Sequence, residues 1–561
     1  MEEILKDKKF QFIEKLHKEY PKATVFLVGG AVRDFVAANP KSEIRNPKQI
    51  QNYKLQIKNA DFDFVVEGIN KEDLQKFLET QGIVKDVESR AFGVFIFVPN
   101  PPVSPLGKGG LRGVAPVSKG EIERGSFDVA VPRVDRWTGE GYKDLEVRTE
   151  NITIEDDLSR RDFTINAMAI NLRTQQILDP LKGQEDLKNK VIKAVGKAEE
   201  RFEEDPSRIL RGIRFACQLG FAIDPETFEA MKKLAAEVVQ PIDKLADNPA
   251  STEAGSKQLT GKMRVAEETI AKEFLKAFAA DPVRTIKLYD EVGLLKILLP
   301  EVEAMKGVEQ PANFHSEGDV YVHTLLALEK LKEEGRKDTR NNRSNNIQYS
   351  IFNIQDSIDL KLAILLHDIG KPVTFKSKEE TGDRIRFSEH DVQGGKITAK
   401  IIKRLKLTVF SKDDPLHVDP ERVVWLIKKH MILVYAKPEE MRLTKLEKYF
   451  FNPDGRSSEL MALSYIDISA TVPPSGKSDF STYEAFQKKL DEVREQVKIK
   501  QDEAKLPPPL INGHDVIKAL KIKPGPIIGD LLEKIREGQL AGKLKNRAEA
   551  LDRLKVLSTK K

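Results

Sequence analysis

The chain has 561 residues, of which 40% are hydrophobic and 32% charged, and its formal net charge is +5. This length predicts roughly three or more domains, and the composition is typical of globular proteins. The single cysteine, Cys217, excludes a disulfide within the chain and a zinc ribbon. No apolar run reaches about 18 residues, so no membrane span is expected. The charged N-terminus lacks the apolar core of a signal peptide, and a cytoplasmic protein is therefore expected.

Strand-like and helix-like patterns alternate in the first part of the chain. The periodicity predicts an amphipathic helix over 4–20, and then a strand over 24–30 that ends in a glycine pair and leads into a helix. Further strands are predicted at 60–66, 92–98 and 126–134, the last two as a pair. From about residue 150 the pattern is mostly helical.

Polar stretches interrupt this pattern, and we expect them to be surface excursions. They are residues 38–59, 99–125, 246–262 and 335–356. The sequence assigns no role to them.

The glycine pair Gly29 and Gly30 lies at the predicted strand-to-helix turn, in the sequence LVGGAVRD. Glycines at such a turn let backbone N–H groups approach a phosphate, and the helix N-terminus adds positive potential. Arg33, one turn into the helix, would add a charge-assisted contact. By itself the pair is equally compatible with a plain turn.

Two aspartates alternate with phenylalanines in the sequence ADFDFVV. Asp61 and Asp63 would point to the same side of a strand, and Asp128 adds a third carboxylate on a predicted neighbouring strand. Mg²⁺ prefers such oxygen ligands. Three carboxylates holding two metal ions would fit in-line attack of a hydroxyl on an α-phosphate, with pyrophosphate leaving. The alternative is an edge strand with solvated acids.

More motifs follow in order: DLSRRDFTINAMAIN (157–171), DPLKGQEDL (179–187) and EEDPSRILRGIRFA (203–216). Together with GGAVRD and DFD, they resemble the signature of the class II CCA-adding enzymes and the related bacterial poly(A) polymerases. The resemblance is close over 24–225 and looser beyond. It implies a nucleotidyltransferase that uses Mg²⁺.

The resemblance also implies roles for the residues of these motifs. Arg161 would contact the triphosphate, and Asp162 and Asn166 would lie near the ribose. Asp205 and Arg208 would contact the incoming base, and Arg211 and Arg214 would contact the nucleotide phosphates. An Asp–Arg pair offers both an acceptor and donors, which would select cytosine and adenine by side chains instead of an RNA template. The alternatives are a helix cap for Asp162, a packing role for Asn166 and a solvated face for the arginines.

A second pattern of histidines and aspartates occupies the later part of the chain. An HD dipeptide stands between LL and IGKP, and ionisable groups beside an apolar run need partners, for which a divalent metal is suited. The series H…HD…D resembles the HD phosphohydrolase superfamily. The resemblance implies a minimal ligand set of His323, His367, Asp368 and Asp467, with His390 and His430 as further ligands for a second metal. Mg, Mn, Ni and Fe are not distinguished, and a purely structural metal is the alternative.

The expected fold class is α+β: an N-terminal nucleotidyltransferase head, with a mixed sheet and helices, followed by an all-α neck, body, HD domain and tail. The expected boundaries are 1–150 for the head, 151–225 for the nucleotide-selecting neck, 226–310 for the body, 311–475 for the HD domain and 476–561 for the basic tail. Lysines and arginines of the tail would meet tRNA phosphates, or form a solvated helix pair.

The function expected is addition of CCA to tRNA 3′ ends from CTP and ATP, together with an HD phosphohydrolase activity. An A-only transferase, either a poly(A) polymerase or an A-adding enzyme, shares all the head motifs and stays open. A hypothesis of another class makes the HD domain the main enzyme and the head a regulatory nucleotide-binding module. The three carboxylates argue against it, because a binding module needs no complete metal triad.

Overall fold

The computed structural model describes residues 7–38, 62–85, 94–99, 126–137, 145–239, 264–336, 356–435, 437–451, 456–496 and 506–558. The chain divides into two compact units, the first formed by 1–273 with 291–293 and the second by 274–290 with 294–561. Within the described ranges, no helix has the length and apolar character needed to cross a membrane.

The first unit carries most of the strands of the protein. They are β1 (Thr24–Val28), β2 (Asp63–Glu67), β3 (Gly82–Lys85), β4 (Val94–Pro99), β5 (Phe127–Ala130), β6 (Val134–Trp137), β7 (Leu145–Arg148), β8 (Ala169–Asn171), β9 (Ile177–Leu178), β10 (Val191–Ile192) and β11 (Ala222–Ile223). The helices are α1 (Gln11–Glu19), α2 (Gly30–Ala38), α3 (Lys71–Gln81), α4 (Ile154–Ser159), α5 (Gly183–Asn189), α6 (Ala198–Glu204), α7 (Ser207–Leu219) and α8 (Pro225–Leu234), and α9 (Glu267–Ala280) begins in this unit.

A seven-stranded mixed sheet organises the first unit, in the order β3-β4-β5-β2-β1-β8-β9. Strand β1 pairs antiparallel with β2 on one side and with β8 on the other, and β2 runs parallel to β5. The strand pair predicted over 92–98 and 126–134 forms as β4 and β5. The segment expected to be an all-α neck is less purely helical than predicted, because it supplies β8 and β9 to this sheet.

Both faces of the sheet are covered, so its central strands are almost continuously apolar. Phenylalanines pack on one face, with the rings of Phe64 and Phe127 5.6 Å apart and edge to face. On the other face, Val65 joins a buried cluster with Ile154 and Leu158. Because side chains alternate along a strand, Asp63 points to the same side as Val65.

The second unit is mostly helical. After α9 come α10 (Pro282–Val292), α11 (Leu294–Leu298), α12 (Pro300–Glu303), α13 (Val320–Arg336), α14 (Ile358–Leu366), α15 (Lys371–Thr374), α16 (Lys378–Thr381), α17 (His390–Arg404), α18 (Pro420–Lys429), α19 (Ile432–Tyr435), α20 (Leu443–Phe450), α21 (Arg456–Ala470), α22 (Ser481–Gln496), α23 (Gly513–Leu520), α24 (Pro526–Leu540) and α25 (Arg547–Ser558). A short antiparallel pair, β12 (Phe375–Lys376) and β13 (Arg386–Phe387), interrupts the helices.

Helix α14 lies at the centre of the second unit. All of its residues are buried, because its sequence IDLKLAILL is apolar around nearly its whole circumference. It packs against α13, α18 and α21. A separate small core joins α23, α24 and α25 through residues such as Val516, Ile535 and Leu554.

Candidate functional site

Two of the predicted carboxylates stand side by side on neighbouring strands. Asp63, the first residue of β2, is the register partner of Asp128 on the parallel strand β5. Like charges at such positions repel each other unless a cation or a donor compensates them. Asp61, the third predicted carboxylate, lies outside the described residues.

The glycine turn brings residues of separate motifs together. Gly29 has a φ of +74°, and a Cβ atom added there would lie 3.2 Å from Asp63 Oδ2 and 3.3 Å from Arg161 Nη1. A glycine therefore permits both the left-handed backbone and the close approach of a carboxylate and a guanidinium. Gly30 begins α2, and Arg33 follows on its first turn with Nη2 3.6 Å from the corresponding Cβ position of Gly30.

A buried carboxylate orients Arg161. Asp157, with a side chain 1% exposed, accepts hydrogen bonds from Arg160 Nη2 at 2.6 Å and from Arg161 Nη2 at 3.1 Å. Burial alone would raise the pKa of Asp157, but the two guanidiniums outweigh it and hold the pKa below its ordinary value. Asp157 was not among the site residues predicted from the sequence, although its spacing of three and four from the arginines would place all three on one helix face.

A chain of hydrogen bonds connects the glycine-turn helix to α7. Arg33 Nη1 donates to Asn166 Oδ1 at 3.0 Å, and Asn166 Nδ2 donates to Asp162 Oδ1 at 3.3 Å. Arg211 then donates to Asp162 Oδ2 from Nε at 2.9 Å and from Nη2 at 2.6 Å. Four residues predicted from three motifs thus form one polar network.

Asp162 is the buried centre of that network. Its burial would raise its pKa, yet Arg211, the Phe163 N–H and Asn166 lower it below the ordinary value for an aspartate. Asp162 therefore stays ionised. It does not cap a regular α-helix, since the following turn, Thr164–Asn166, is a 3-10 helix with Phe163 at its N-cap.

Two other predicted residues, Asp205 at the end of α6 and Arg208 in α7, have different partners. Arg208 Nη1 donates to Glu204 at 2.9 Å, whereas Asp205 Oδ1 accepts the Ser207 N–H at 2.9 Å. The structure therefore does not pair Asp205 with Arg208 through their side chains.

Arg214 is engaged on yet another side of α7. Its Nε donates to the buried Glu273 at 2.5 Å, and its guanidinium lies 4.0 Å from the centroid of the Phe215 ring. Residues spaced by three rotate by about 60° per step around a helix, so Arg208 and Arg214 diverge by about 120°. Glu273 and Phe215 were missed by the sequence analysis, and no local pattern would have found Glu273, which belongs to α9.

The six predicted histidines and aspartates of the later region converge in the second unit. His323 lies on α13, His367 and His430 follow the last residues of α14 and α18, His390 begins α17, and Asp467 lies on α21. Their ligand atoms form two groups able to hold a metal ion: His323, His367 and Asp467, and Asp368, His390 and His430.

Asp368 stands between the two groups. Its Oδ2 is 3.2 Å from His367 Nε2, and its Oδ1 is 3.5 Å from His390 Nε2 and 3.9 Å from His430 Nε2. Asp467 Oδ1 lies 3.0 Å from His323 Nε2 and 3.6 Å from His367 Nε2. Two carboxylates thus face the Nε2 atoms of four imidazoles.

The outer nitrogens of the imidazoles identify their tautomers. Nδ1 of His367, His390 and His430 lies 2.6–2.9 Å from a backbone carbonyl oxygen, which can only accept, so each Nδ1 carries a proton. The Nε2 lone pairs of His390 and His430 then face each other across 3.2 Å. That arrangement is repulsive without a cation, and with two carboxylates beside it the donor set fits divalent metal ions.

The electrostatics of the cluster lead to the same conclusion. Burial lowers the pKa of His430 to about 4, with His390 and His367 adding to the effect, so this imidazole is a neutral ligand at pH 7. Burial also acts against a charge on His367, but Asp368 and Asp467 outweigh it and raise its pKa to about 10. A cation, whether proton or metal, is therefore strongly favoured between these carboxylates and imidazoles.

Two neighbours of the cluster were missed by the sequence analysis. Glu317 Oε1 lies 2.8 Å from His323 Nδ1 and 2.7 Å from His315 Nδ1. Lys371 Nζ lies 2.7 Å from Asp368 Oδ2 and donates to Gln310. Glu317 precedes the predicted ligand His323 by a few residues, and Lys371 follows Asp368 by three. This closeness in sequence was the one feature that could have indicated them.

Comparison with known proteins identifies three regions. Family models match a poly(A) polymerase head domain over 110–193, an HD domain over 320–464 and a putative domain 2 of tRNA nucleotidyltransferases over 478–554. An A-adding tRNA nucleotidyltransferase of Deinococcus radiodurans is 31% identical over 399 residues, which cover 71% of this chain and 78% of that protein. The chain belongs to the tRNA nucleotidyltransferase family. A multifunctional CCA protein of Acinetobacter baumannii is 30% identical, over 73% of this chain and 75% of its own length.

Solved structures of similar fold are CCA-adding enzymes. The Bacillus stearothermophilus enzyme in complex with CTP matches with a TM-score of 0.54 at 18% identity, covering 99% of both chains. The Thermotoga maritima enzyme complexed with tRNA matches with a TM-score of 0.51 at 20% identity, covering 98% of this chain and 94% of that one. The family membership, the α+β class and the nucleotidyltransferase activity expected from the sequence are thus confirmed. Nucleotidyltransferase and HD domains both generally use divalent metal ions.

Proposed function

We propose that this tRNA nucleotidyltransferase adds CCA to tRNA 3′ ends from CTP and ATP and releases pyrophosphate. The observation that carries the proposal is the pairing of Asp63 with Asp128 on adjacent strands, beside Gly29 and Arg161. The names of the relatives support it, as do the complexes of similar structures with CTP and with tRNA.

Asp61, Asp63 and Asp128 would hold Mg²⁺, a hard cation that prefers carboxylate oxygens. When bound, the metal would activate the terminal hydroxyl of the tRNA and neutralise charge on the leaving pyrophosphate. The backbone N–H groups at Gly29 and Gly30, at the positive end of α2, would bind the triphosphate of the incoming nucleotide.

The hydrogen-bonded network would position the rest of the nucleotide. Arg161 would bind the triphosphate, and Asp162 and Asn166 would accept and donate at the ribose hydroxyls. Asp162 is ionised and held by Arg211, so it is a pre-oriented acceptor.

In this proposal, Asp205 and Arg208 would select the base, and Arg211 and Arg214 would make further contacts to the phosphates. The donors of Arg208 and Arg214 face Glu204 and Glu273 in the structure. Binding of a nucleotide therefore requires these two ion pairs to open or to be shared. Opening the ion pair with Glu204, which is partly exposed, would require little free energy, whereas opening the pair with the buried Glu273 would require more.

The central experiment incubates the purified protein with a tRNA transcript lacking CCA, supplied with CTP, with ATP, or with both. We expect addition of two cytidines with CTP alone and of the complete CCA with both nucleotides. An Asp63→Asn or Asp128→Asn variant should lose transfer, while Glu79→Gln, which alters an exposed acid of the same unit, should not. Full transfer by both aspartate variants would refute the site.

An A-adding enzyme is the second candidate, because the Deinococcus radiodurans relative carries that name. Such an enzyme would extend only a transcript that already ends in CC. Transfer of ATP onto that transcript, with no use of CTP on the shorter one, would establish the second candidate and exclude CCA addition.

For the HD cluster we propose hydrolysis of phosphomonoesters or cyclic phosphodiesters with divalent metal ions. The six ligands His323, His367, Asp368, His390, His430 and Asp467 would hold one ion or two, with Asp368 shared. An Asp368→Ala variant should lose both bound metal and phosphodiesterase activity, whereas Asp413→Asn, an exposed control, should keep both. Metal content unchanged in Asp368→Ala would contradict the assignment.

We also propose the domain boundaries and the cytoplasmic location that are expected from the sequence. The head would span 1–150, the neck 151–225, the body 226–310, the HD domain 311–475 and the tail 476–561, in a cytoplasmic enzyme. Strands β8 and β9 tie the neck to the head sheet, so a truncation at 150 should not yield a folded head.

A further inference from the structure

Gln310 is a buried glutamine beside the HD cluster, in the segment between α12 and α13. Only 6% of the residue is exposed. Its Oε1 accepts a hydrogen bond from Lys371 Nζ at 2.7 Å, and the same Nζ lies 2.7 Å from Asp368 Oδ2. One lysine therefore places the Gln310 amide next to the aspartate that stands between the two groups of metal ligands.

The orientation of the Gln310 amide follows from its lysine partner. An ammonium group can only donate, so the amide oxygen, and not the nitrogen, has to face Lys371. Among the residues that the structure describes, Gln310 Nε2 has no hydrogen-bond partner. A buried N–H donor without an acceptor costs free energy, and folded proteins leave few such groups. We therefore expect this nitrogen to meet an acceptor that comes from outside the chain.

The requirements of Lys371 do not explain why residue 310 is a glutamine. A glutamate, whose side chain has the same length, would accept from the ammonium more strongly and would leave no unpaired donor. A water molecule would be accommodated by either side chain. The amide is the better choice where an anion approaches from its other side, because a carboxylate there would repel that anion. The residue type therefore points to an anionic acceptor near Asp368.

Lys371 positions the amide and does not itself offer a donor to a ligand. Its three N–H groups have three neighbours: the carboxylate of Asp368, the amide oxygen of Gln310 and the Phe387 ring, whose centroid lies 5.3 Å from Nζ. Phe387 is in turn tied to the cluster, because its carbonyl oxygen accepts from His390 Nδ1 at 2.9 Å. The lysine is thus fixed on several sides, and the unpaired donor beside Asp368 belongs to Gln310.

The backbone near Gln310 is anchored to the helix that carries His323. The Gly307 N–H donates to Asp319 Oδ2 at 2.7 Å, and Asp319 immediately precedes α13. The amide is therefore placed relative to a predicted metal ligand before any substrate binds. Such pre-organisation reduces the ordering that binding requires.

We propose that Gln310 Nε2 donates a hydrogen bond to a non-bridging oxygen of the phosphoryl group that binds at the HD cluster. The inference rests on the proposed hydrolytic function of that cluster. Phosphoryl oxygens are anionic acceptors, and metal ions held by Asp368 would bring them to this place. An amide suits the position, because it pairs with an anionic oxygen and adds no charge that would compete with the metal ions.

The test measures binding of inorganic phosphate to the full chain, supplied with Mn²⁺, by isothermal titration. Binding that persists in Asp368→Ala lies elsewhere and is subtracted. Gln310→Glu keeps an acceptor for Lys371 but removes the N–H donor, and Gln310→Met removes the donor without adding a charge. The matched control is Gln81→Glu in the first unit, because Gln81 Oε1 also accepts from a lysine, at 2.8 Å, but its Nε2 already donates to Thr80.

We expect both Gln310 variants to bind phosphate on the order of tenfold more weakly than the parent protein, because a hydrogen bond to a charged group is lost. Their KM for bis(p-nitrophenyl) phosphate should rise in parallel, their bound Mn²⁺ should stay the same, and Gln81→Glu should match the parent protein.

Unchanged phosphate affinity in Gln310→Met would overturn the inference, because a loss in Gln310→Glu alone would then reflect repulsion by the new carboxylate. Loss of phosphate affinity together with bound Mn²⁺ in both variants would overturn it as well, since Gln310 would then support the metal ligands and not the substrate. Phosphate binding that depends on Gln310, without hydrolysis by the parent protein, would contradict only the proposed hydrolytic function. The two failures are therefore distinguishable.

Discussion

Removal of the Arg211 side chain should loosen the hydrogen-bonded network around Asp162. Asp162 is 7% exposed and accepts two hydrogen bonds from Arg211. In an Arg211→Ala variant, the donors to this carboxylate that remain among the described residues would be the Phe163 N–H and the Asn166 amide. An ionised group that has lost its counter-charge in a buried place is strongly destabilising.

The size of the effect follows from the geometry. Removal of one partner from a buried ion pair costs about 3–5 kcal/mol. The Arg211 side chain is 39% exposed, so water can enter the vacated space and part of the cost is recovered. We therefore expect a loss of about 2–3 kcal/mol, which corresponds to a roughly 30- to 150-fold larger equilibrium constant for opening of the surrounding structure.

Hydrogen exchange detected by mass spectrometry suits this measurement, because it reports the opening of α7 separately from the second unit. The variants needed are Arg211→Ala, Asp162→Asn and the double variant. The double variant buries no charge, so it should be more stable than the sum of the two single losses implies, by at least about 1 kcal/mol.

Additive losses, within about 0.5 kcal/mol, would refute the reasoning, since they would mean that the carboxylate and the guanidinium do not stabilise each other. Slower exchange in Arg211→Ala than in the parent protein would refute it as well.

Three further predictions concern the second unit. Glu317→Gln should weaken metal binding about 10- to 100-fold by isothermal titration, because an amide holds the His323 Nδ1–H less firmly; undiminished affinity would contradict this. Gly370→Ala should lower the melting temperature and the bound metal, since its Cβ would lie 2.1 Å from a backbone oxygen of α17, whereas Gly525→Ala, which meets nothing within 4 Å, should not. Burial, with a nearby glutamate adding to it, raises the pKa of Asp359 to about 7, so the folded state holds this proton more tightly than the unfolded one. The parent protein should therefore lose stability, relative to Asp359→Asn, as the pH rises from about 4 through about 7, and parallel unfolding curves would show the idea to be wrong.

Much of the first site could be predicted from the sequence, because its residues belong to short motifs whose local spacing encodes their geometry. Gly29 and Gly30 mark a turn, and Asp63 starts a strand whose partner carries Asp128. The HD cluster was predicted in a different way. The residues alone indicated only that the HD dipeptide beside an apolar run needs partners, and the ligand set was implied by the resemblance of the series H…HD…D to the HD phosphohydrolase superfamily.

The partners of these residues could not be predicted, because they depend on tertiary contacts. Glu273 reaches Arg214 from a helix 59 positions further along the chain. Strands β8 and β9, with three and two residues, are too short for periodicity to reveal them, and they form because β1 offers them an edge. The position of Asp61 lies in the part of the chain that the structure leaves undescribed.

Strand β1 joins two parts of the first site that are far apart in the sequence. Its residue Val28 is the register partner both of Asp63 on β2 and of Ala169 on β8. Strand β2, which begins with Asp63, and strand β8, which follows Asn166, are therefore both paired with β1 at the same residue. These two parts of the first site are therefore expected to move together as one body, so that the spacing between Asp63 and the Asp162–Asn166 turn stays constant.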